Sequence, residues 1–197
     1  CWNPNNAPPS PVTTADSTTL HAFLSRDDKW RLYATLDEIT PTLRQTILHK
    51  EDRWFRWHPG INPVAMARAL GRNMVSGRRT SGASTITMQV VRLLEPRPRT
   101  YGSKVIEVLR AFQLEWRLSK DEILSLYLNK IFFGHRAYGI AAAAEFYYGK
   151  KLNELTLAET ATLASLPKFP SSCNPIVNPK RAIERRAYFF QQMLEEG

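Results

Sequence analysis

Two short segments carry residues that could do acid–base and anion-binding chemistry. Residues 51–60 begin with two carboxylates, Glu51 and Asp52, and continue into aromatic residues. Residues 81–89 mix small and hydroxyl residues and end at Gln89. A carboxylate that can take up a proton is a candidate general base, and small and hydroxyl residues at a helix start are typical of a phosphate site. The first segment therefore contains a candidate general base, and the second is a candidate phosphate-binding site.

Glu51 is the candidate base. Trp54, Phe55 and Trp57 follow it closely in the sequence. Aromatic neighbours that exclude water would raise the proton affinity of this carboxylate and make it a better base near neutral pH. The alternative is an ordinary surface glutamate at the end of a helix.

A second carboxylate, Glu107, follows three residues after Lys104 on a predicted helix. Residues at this spacing share one helix face, so a cation and a carboxylate point the same way. Such a pair fits either a functional site or a solvated ion pair.

The segment 81–89 suits a ligand with negative charge. Gly82 and Ala83 allow a ligand to approach the backbone, and Ser84 or Thr85 can cap the helix that follows. The free N–H groups and the dipole of such a helix start favour an anion. Cations follow at Arg92, Arg97, Arg99 and Lys104. A run of cations alone indicates only a basic surface, but its position after this helix start favours a pyrophosphate site.

The composition fits a folded, basic protein. At 197 residues and 43% hydrophobic composition the chain can form one domain with a core. Its 27 Lys and Arg residues against 18 Asp and Glu residues give a net charge of +9, which attracts nucleic acid, acidic lipid headgroups or phosphorylated substrates. Cys1 and Cys173 are too few for a disulfide framework and have no metal-site spacing, so we expect no structural metal.

The elements that must position these residues are mostly helices. Residues 1–19, rich in Pro, Ser and Thr, are expected to form a flexible tether ahead of one domain, residues 20–197. Thr40 and Pro41 predict the start of a helix with one apolar face, and Glu51 is expected at the end of this helix. Capping boxes at 119–122 and 156–159 predict two more helices, the second ended by Pro167, and a last helix begins at 178–179. The predicted fold is mainly α.

Residues 61–80 interleave apolar side chains with four arginines. Apolar and cationic residues in one segment suit a surface that lies on an anionic membrane, because arginines reach the headgroups while methionines and leucines enter the acyl boundary. An ordinary core helix with a solvated basic face would show the same pattern.

Five motifs stand in a recognisable order. They are Glu-Asp-x-x-Phe-x-x-His-x-Gly at 51–60, Gly-x-Ser-Thr-Ile-Thr-x-Gln at 82–89, Lys-x-x-Glu at 104–107, Ile-Leu-Ser-Leu-Tyr-Leu-Asn at 123–129 with Phe-Gly at 133–134, and Leu-Pro-x-x-Pro at 166–170 before Asn-Pro at 174–175. In these motifs the chain resembles the family 51 glycosyltransferase module of class A bifunctional penicillin-binding proteins, the peptidoglycan polymerases.

The resemblance implies a lysozyme-like helical lobe with a small membrane-associated jaw, mapped to about residues 60–103. It implies polymerisation of lipid II into glycan strands, with inversion at the β-1,4 bond and release of undecaprenyl pyrophosphate. By position, Glu51 would be the base, and Glu107 would assist the pyrophosphate side as an acid or by holding a divalent cation, Mg²⁺ or Mn²⁺. The phosphates would be cradled by Ser84, Gln89, Arg92, Arg99 and Lys104. Further substrate contacts are expected from Asp52, Phe55, His58, Thr85 and Asn129.

The same resemblance implies the partners and the location. The expected partners are lipid II, the nascent glycan strand, the membrane surface, moenomycin-type inhibitors and other cell-wall synthesis proteins, and no nucleic acid. The expected location is the outer face of a bacterial cytoplasmic membrane, with the anchor missing from this chain.

Two other functions are weighed against the polymerase. A peptidoglycan-cleaving enzyme of the lysozyme class would use the same fold and a catalytic glutamate, but it has no need for the cations between Arg92 and Lys104. A non-catalytic module binding anionic membranes or nucleic acid would explain the net charge and leave Glu51 unexplained.

Overall fold

The computed structural model describes residues 12–13, 19–21, 30–76, 84–98, 100–167, 170 and 175–196. Helices dominate this part of the chain, which confirms the predicted mainly α fold. No helix in these ranges combines the length and the low charge that a bilayer-spanning segment needs. The chain divides into two compact units, one made of Cys1–Arg44 with Ile131–Gly197 and the other of Gln45–Lys130.

The unit Gln45–Lys130 contains most of the candidate site residues. Its helices are α1 (Pro41–Asp52, which starts just before the unit), α2 (Pro63–Ser76), α3 (Ile86–Leu94), α4 (Tyr101–Arg117) and α5 (Lys120–Lys130). Helix α3 is short and central, because it packs against both α4 and α5. Met88, Val91 and Ala111 form a buried cluster between α3 and α4.

The predicted starts of α1 and α5 are confirmed. The N–H of Leu43 donates to the Thr40 hydroxyl at 3.3 Å, as expected for an N-cap followed by Pro41. At the start of α5 the N–H of Ser119 donates to the Glu122 carboxylate at 2.7 Å, and the N–H of Glu122 donates to the Ser119 hydroxyl at 3.3 Å. These reciprocal bonds are the predicted capping box.

The second unit combines short strands with three helices. Strand β3 (Trp30–Arg31) pairs in parallel with β5 (Ala137–Tyr138), which pairs in antiparallel fashion with β4 (Phe132–Gly134). The helices are α6 (Ile140–Tyr148), α7 (Leu157–Ser165) and α8 (Pro179–Glu196), with a 3₁₀ turn at Leu152–Glu154. Its core is built from Phe133, Ile140, Leu163 and the small residues of α6 and α7.

The helix boundaries predicted for this unit are also confirmed. Helix α7 starts with the predicted capping box, in which the N–H of Glu159 donates to the Thr156 hydroxyl, and it ends at Ser165, before Pro167. Helix α8 begins at Pro179, directly after Asn178.

The predicted tether overlaps two short strands, β1 (Val12–Thr13) and β2 (Thr19–His21), which pair in antiparallel fashion. The other residues of 1–19 lie outside the described residues, so the flexible tether stays a prediction. The jaw at about residues 60–103 also stays a prediction, and residues 77–83 and Arg99 within it lie outside the described ranges.

Candidate active site

Glu51 lies at the C-terminal end of α1 and faces the middle of α3. The side-chain amide of Gln89 donates to its carboxylate, with Nε2 3.1 Å from Oε2. The Glu51 side chain is half-buried, so its carboxylate is oriented by the protein and still reached by solvent. A carboxylate held in this way can accept a proton from a bound substrate.

The next residue, Asp52, organises the backbone around Glu51. Its buried carboxylate accepts from His58 Nε2 at 2.9 Å and from the N–H of Ile86 at 3.0 Å. Asp52 therefore ties the loop 53–60 to the first residue of α3. The structure gives Asp52 and His58 these scaffold contacts with each other, and their predicted contact with substrate stays a prediction.

Two N–H groups at the start of α3 donate to the protein's own side chains. Thr85 is its N-cap, and the N–H of Met88 donates to the Thr85 hydroxyl at 3.2 Å. The same hydroxyl donates to the carbonyl of Gly60 at 2.6 Å. With Ile86 donating to Asp52, two of the first N–H groups of α3 are already used. The N–H groups of Ile86 and Met88 are therefore not free for a ligand, and the phosphate site expected at this helix start stays a prediction.

The aromatic wall expected around Glu51 is wrong for two of its three members. Trp57 is 82% exposed and Trp54 is 56% exposed, so neither forms a buried apolar wall. Phe55 is buried at 1% exposure, with the ammonium group of Lys120 4.6 Å from its ring centroid. The loop leaves the helix immediately after Asp52 and turns both tryptophans toward solvent.

A cluster of charged and hydroxyl side chains forms from α3, α4 and the segment before α3. The guanidinium of Arg92 binds Glu107 through two nitrogens, at 2.8 and 3.0 Å. Lys104 Nζ lies 3.0 Å from the same carboxylate and donates to the Ser84 hydroxyl at 2.8 Å. The structure thus brings together Ser84, Arg92, Lys104 and Glu107, and their predicted contact with the phosphates stays a prediction. Arg92 and Lys104 keep 39% and 40% of their side-chain surface exposed, so both cations can meet a ligand.

The electrostatics of this cluster hold Glu107 in its charged form. Burial disfavours the charged carboxylate, but hydrogen bonds and charges from Arg92 and Lys104 outweigh that effect and lower the pKa of Glu107. The Glu107 carboxylate in turn raises the pKa of Arg92, mainly through the hydrogen bond between them. A carboxylate held as an anion is a poor proton donor, so this geometry favours Glu107 as an anchor of the cations over Glu107 as an acid.

The surroundings of Glu107 do not fit a divalent cation. Both of its carboxylate oxygens accept from cationic side chains, which would repel Mg²⁺ or Mn²⁺. Within the described ranges, no group of three or more His, Cys, Asp or Glu side chains is arranged to hold a metal.

Two predicted site residues are placed elsewhere or not described. Asn129 lies near the end of α5, where its side-chain amide donates to the carbonyl of Ser125 at 3.0 Å, and its substrate contact stays a prediction. Arg99 lies outside the described residues.

Sequence reasoning missed Tyr127 beside the two carboxylates. This side chain is fully buried, and its hydroxyl has no hydrogen-bond partner within the described part of the chain. Burial, with the nearby charges of Glu51 and Asp52, raises the pKa of Tyr127 well above its ordinary value. The phenol is therefore neutral at physiological pH. Its place in the fourth sequence motif, 123–129, was the available signal.

Comparisons with known proteins agree on one family. A family model described as Transglycosylase matches residues 16–194. Penicillin-binding protein 1C of Escherichia coli (strain K12) is 45% identical over 186 residues, covering 94% of this chain and 24% of that protein. Penicillin-binding protein 1A of Neisseria flavescens is 46% identical over 168 residues, covering 85% of this chain and 21% of that protein. The chain thus spans less than a quarter of the length of these relatives.

A solved structure is also similar. The crystal structure of penicillin-binding protein 1A from Haemophilus influenzae aligns with a TM-score of 0.48 and 30% sequence identity, covering 85% of this chain and 16% of that one.

Proposed function

Because the chain belongs to the transglycosylase family found in class A penicillin-binding proteins, we propose that it is a peptidoglycan glycosyltransferase. It polymerises lipid II by transferring the growing glycan from undecaprenyl pyrophosphate to the 4-hydroxyl of the next disaccharide. The substrate, the nascent strand and the membrane surface are parts of this proposal.

One observation carries the proposal: a single turn of α3 links a candidate base to a cluster of cations. Gln89 contacts Glu51, and Arg92, three residues later, contacts Glu107. Three residues span about 4.5 Å along a helix, so the base and the anion site are neighbours. Displacement of a pyrophosphate by a hydroxyl needs a base at the attacking oxygen and positive charge at the leaving group.

These contacts support the following roles for the residues. Glu51, oriented by Gln89, removes the proton from the attacking hydroxyl as the new bond forms. Arg92 and Lys104 stabilise the charge that develops on the departing pyrophosphate. Glu107 holds both cations in place before the ligand binds. Inversion follows from direct attack, which requires no covalent intermediate with the protein.

An exposed apolar stripe on α4 supports the proposed contact with a membrane surface. Tyr101, Val105, Leu109, Phe112 and Trp116 repeat at spacings of three and four residues and therefore lie along one side of the helix. Each of them is at least 39% exposed, and Trp116 reaches 92%. The stripe runs for about 22 Å along the helix, and exposed apolar surfaces of this extent mark contacts with a membrane or with another protein.

The segment 61–80, expected to touch the membrane, is only partly described. Val64 is 66% exposed on α2, whereas Ala69 is buried. The membrane contact of residues 61–80 stays a prediction, and α4 adds a second exposed apolar surface. Because the acceptor and the donor are both embedded in lipid, we propose that the chain acts at the outer face of the cytoplasmic membrane.

Incubation with lipid II in detergent, followed by gel separation of the products, tests the function. We expect a polymer ladder from the unaltered chain. Glu51→Gln keeps the shape of the side chain and removes its ability to accept a proton, so the rate should fall by about two to four orders of magnitude. Glu184→Gln, an exposed glutamate on α8, serves as the matched control and should polymerise at the normal rate.

Other outcomes would point elsewhere. Release of muropeptides from purified sacculi, without any polymer from lipid II, would indicate the lysozyme class. A Glu51→Gln variant that keeps more than a tenth of the normal rate would remove Glu51 from the role of base, and Asp52 would then be examined.

A further inference from the structure

Lys120, the first residue of α5, makes three contacts outside the cluster of Ser84, Arg92, Lys104 and Glu107. Its ammonium group donates to the carbonyl of His58 at 2.6 Å and to the carboxylate of Glu115 at 2.7 Å. It also lies over the ring of Phe55, 4.6 Å from the centroid. Its side chain is only 20% exposed, so these contacts replace most of its hydration.

Glu115 extends this contact to α3. Its carboxylate, 10% exposed, accepts from the Thr87 hydroxyl at 2.5 Å as well as from Lys120. The loop also approaches α4 closely at Gly60. A Cβ atom there would lie 3.0 Å from both the Ala111 carbonyl oxygen and Glu115 Cγ, and the positive φ of +89° favours glycine. The loop 53–60 is therefore held at one point against α3, α4 and α5.

We propose that Lys120 is a positioning residue for Glu51. This inference rests on the proposed function, in which Glu51 is the base. The loop 53–60 starts directly after the carboxylate pair, and Lys120 fixes the backbone of His58 near its far end. The imidazole of the same His58 binds Asp52, the neighbour of Glu51. Lys120 therefore sets the direction of the helix end that presents Glu51 to Gln89.

The cation cluster is held by different contacts. Arg92, Lys104, Ser84 and Glu107 bind one another, and none of these contacts passes through Lys120 or the loop. Loss of Lys120 should therefore disturb the base while the anion site keeps its geometry. This separation distinguishes a positioning role from general support of the fold, which would weaken both.

The experiment measures kcat with lipid II and the Kd of a moenomycin-type phosphoglycolipid for the same variants. In Lys120→Met, kcat should fall about ten- to a hundredfold, because a misplaced catalytic group costs this much, while Kd stays within about threefold. Lys120→Arg keeps a cation with several N–H donors for both acceptors, so kcat should recover to within about fivefold of the normal value.

Two further variants complete the comparison. Lys120→Met leaves the Glu115 carboxylate buried without its cation, so a double variant with Glu115→Gln removes that charge and should fold with the same loss of kcat. Arg56→Met is the matched control. Arg56 also joins the loop to α5, through Asp121 at 2.7 Å, but both side chains are exposed, and kcat should be unchanged.

Each result decides the inference. A normal kcat in the double variant would overturn it, as would a parallel loss of kcat and inhibitor binding that Lys120→Arg does not repair. Absence of polymer from the unaltered chain would overturn the proposed function itself, and with it the role of Lys120.

Discussion

At the scale of single residues, the charge of the Glu107 carboxylate contributes to the stability of the fold. Its pKa is lowered from an ordinary value of 4.5, mainly because the bonds from Arg92 and Lys104 outweigh the effect of burial. A lowered pKa in the folded state means that the charged form stabilises the fold at neutral pH. This contribution is complete above the ordinary value and is lost as pH falls through the pKa of the folded state.

Glu107→Gln tests this contribution. At pH 7 the variant should unfold with a free energy about 1 to 3 kcal/mol lower than the unaltered chain, because bonds to charged groups are lost. The difference should shrink as pH falls below 4.5, where the native carboxylate also becomes neutral. Urea unfolding at several pH values between 7 and 3 measures it. A difference that does not change with pH would contradict the ion-pair account.

At the scale of elements, the start of α3 depends on one hydroxyl. Thr85 caps the helix through Met88 and also holds the carbonyl of Gly60, and the side chain is only 3% exposed. Thr100 caps α4 through Ser103 alone and is exposed. Substitutions at the two caps can therefore be compared to isolate the contribution of the bond from Thr85 to the Gly60 carbonyl.

Thr85→Val keeps the shape of the side chain and removes both bonds. We expect a loss of about 2 to 4 kcal/mol in the free energy of unfolding, since the cap is lost and the Gly60 carbonyl loses this donor. Thr100→Val should cost about 1 kcal/mol, the ordinary value for a cap. Equal losses in the two variants would show that the bond from Thr85 to the loop contributes nothing.

The helix boundaries were predictable because their signals are local. The caps at Thr40, Ser119 and Thr156 each act within three or four residues, so the sequence alone displays both partners. The contacts that assemble the site join distant residues. Asp52 and Ile86 are 34 residues apart, and Lys120 and His58 are 62 apart. No periodicity or cap signals such pairs, so the capping box revealed the start of α5 but not the partner of its lysine.

At the scale of the whole molecule, a net charge of +9 accompanies the exposed stripe on α4. Cationic charge attracts an anionic lipid surface, and exposed apolar side chains can then enter it. Binding to vesicles should depend on both properties.

Leu109→Ser combined with Trp116→Ser should weaken binding to phosphatidylglycerol vesicles about tenfold or more, because two large apolar side chains no longer enter the lipid. Their exposures of 57% and 92% predict little change in melting temperature. Leu157→Ser combined with Ile183→Ser, exposed in the other unit, is the control and should bind normally. Equal weakening in both double variants would show that the α4 stripe is not a specific membrane surface.

The sequence could not reveal which apolar residues face solvent. Trp54 and Trp57 were expected to enclose Glu51 and are exposed, whereas Phe55 between them is buried. Side-chain type sets a preference for burial, but the path of the loop after α1 decides which of three adjacent aromatic residues turns inward. The path depends on Lys120 and Thr85, which lie far along the chain.

Glu107 also serves as a built-in counterion. Because its carboxylate already neutralises part of the charge of Arg92 and Lys104, these three side chains carry a net charge near +1 before any ligand arrives. An anion that binds there meets cations that are already in position and whose positive charge is already partly neutralised. Binding is therefore expected to weaken less with rising ionic strength than the four cations between residues 92 and 104 suggest.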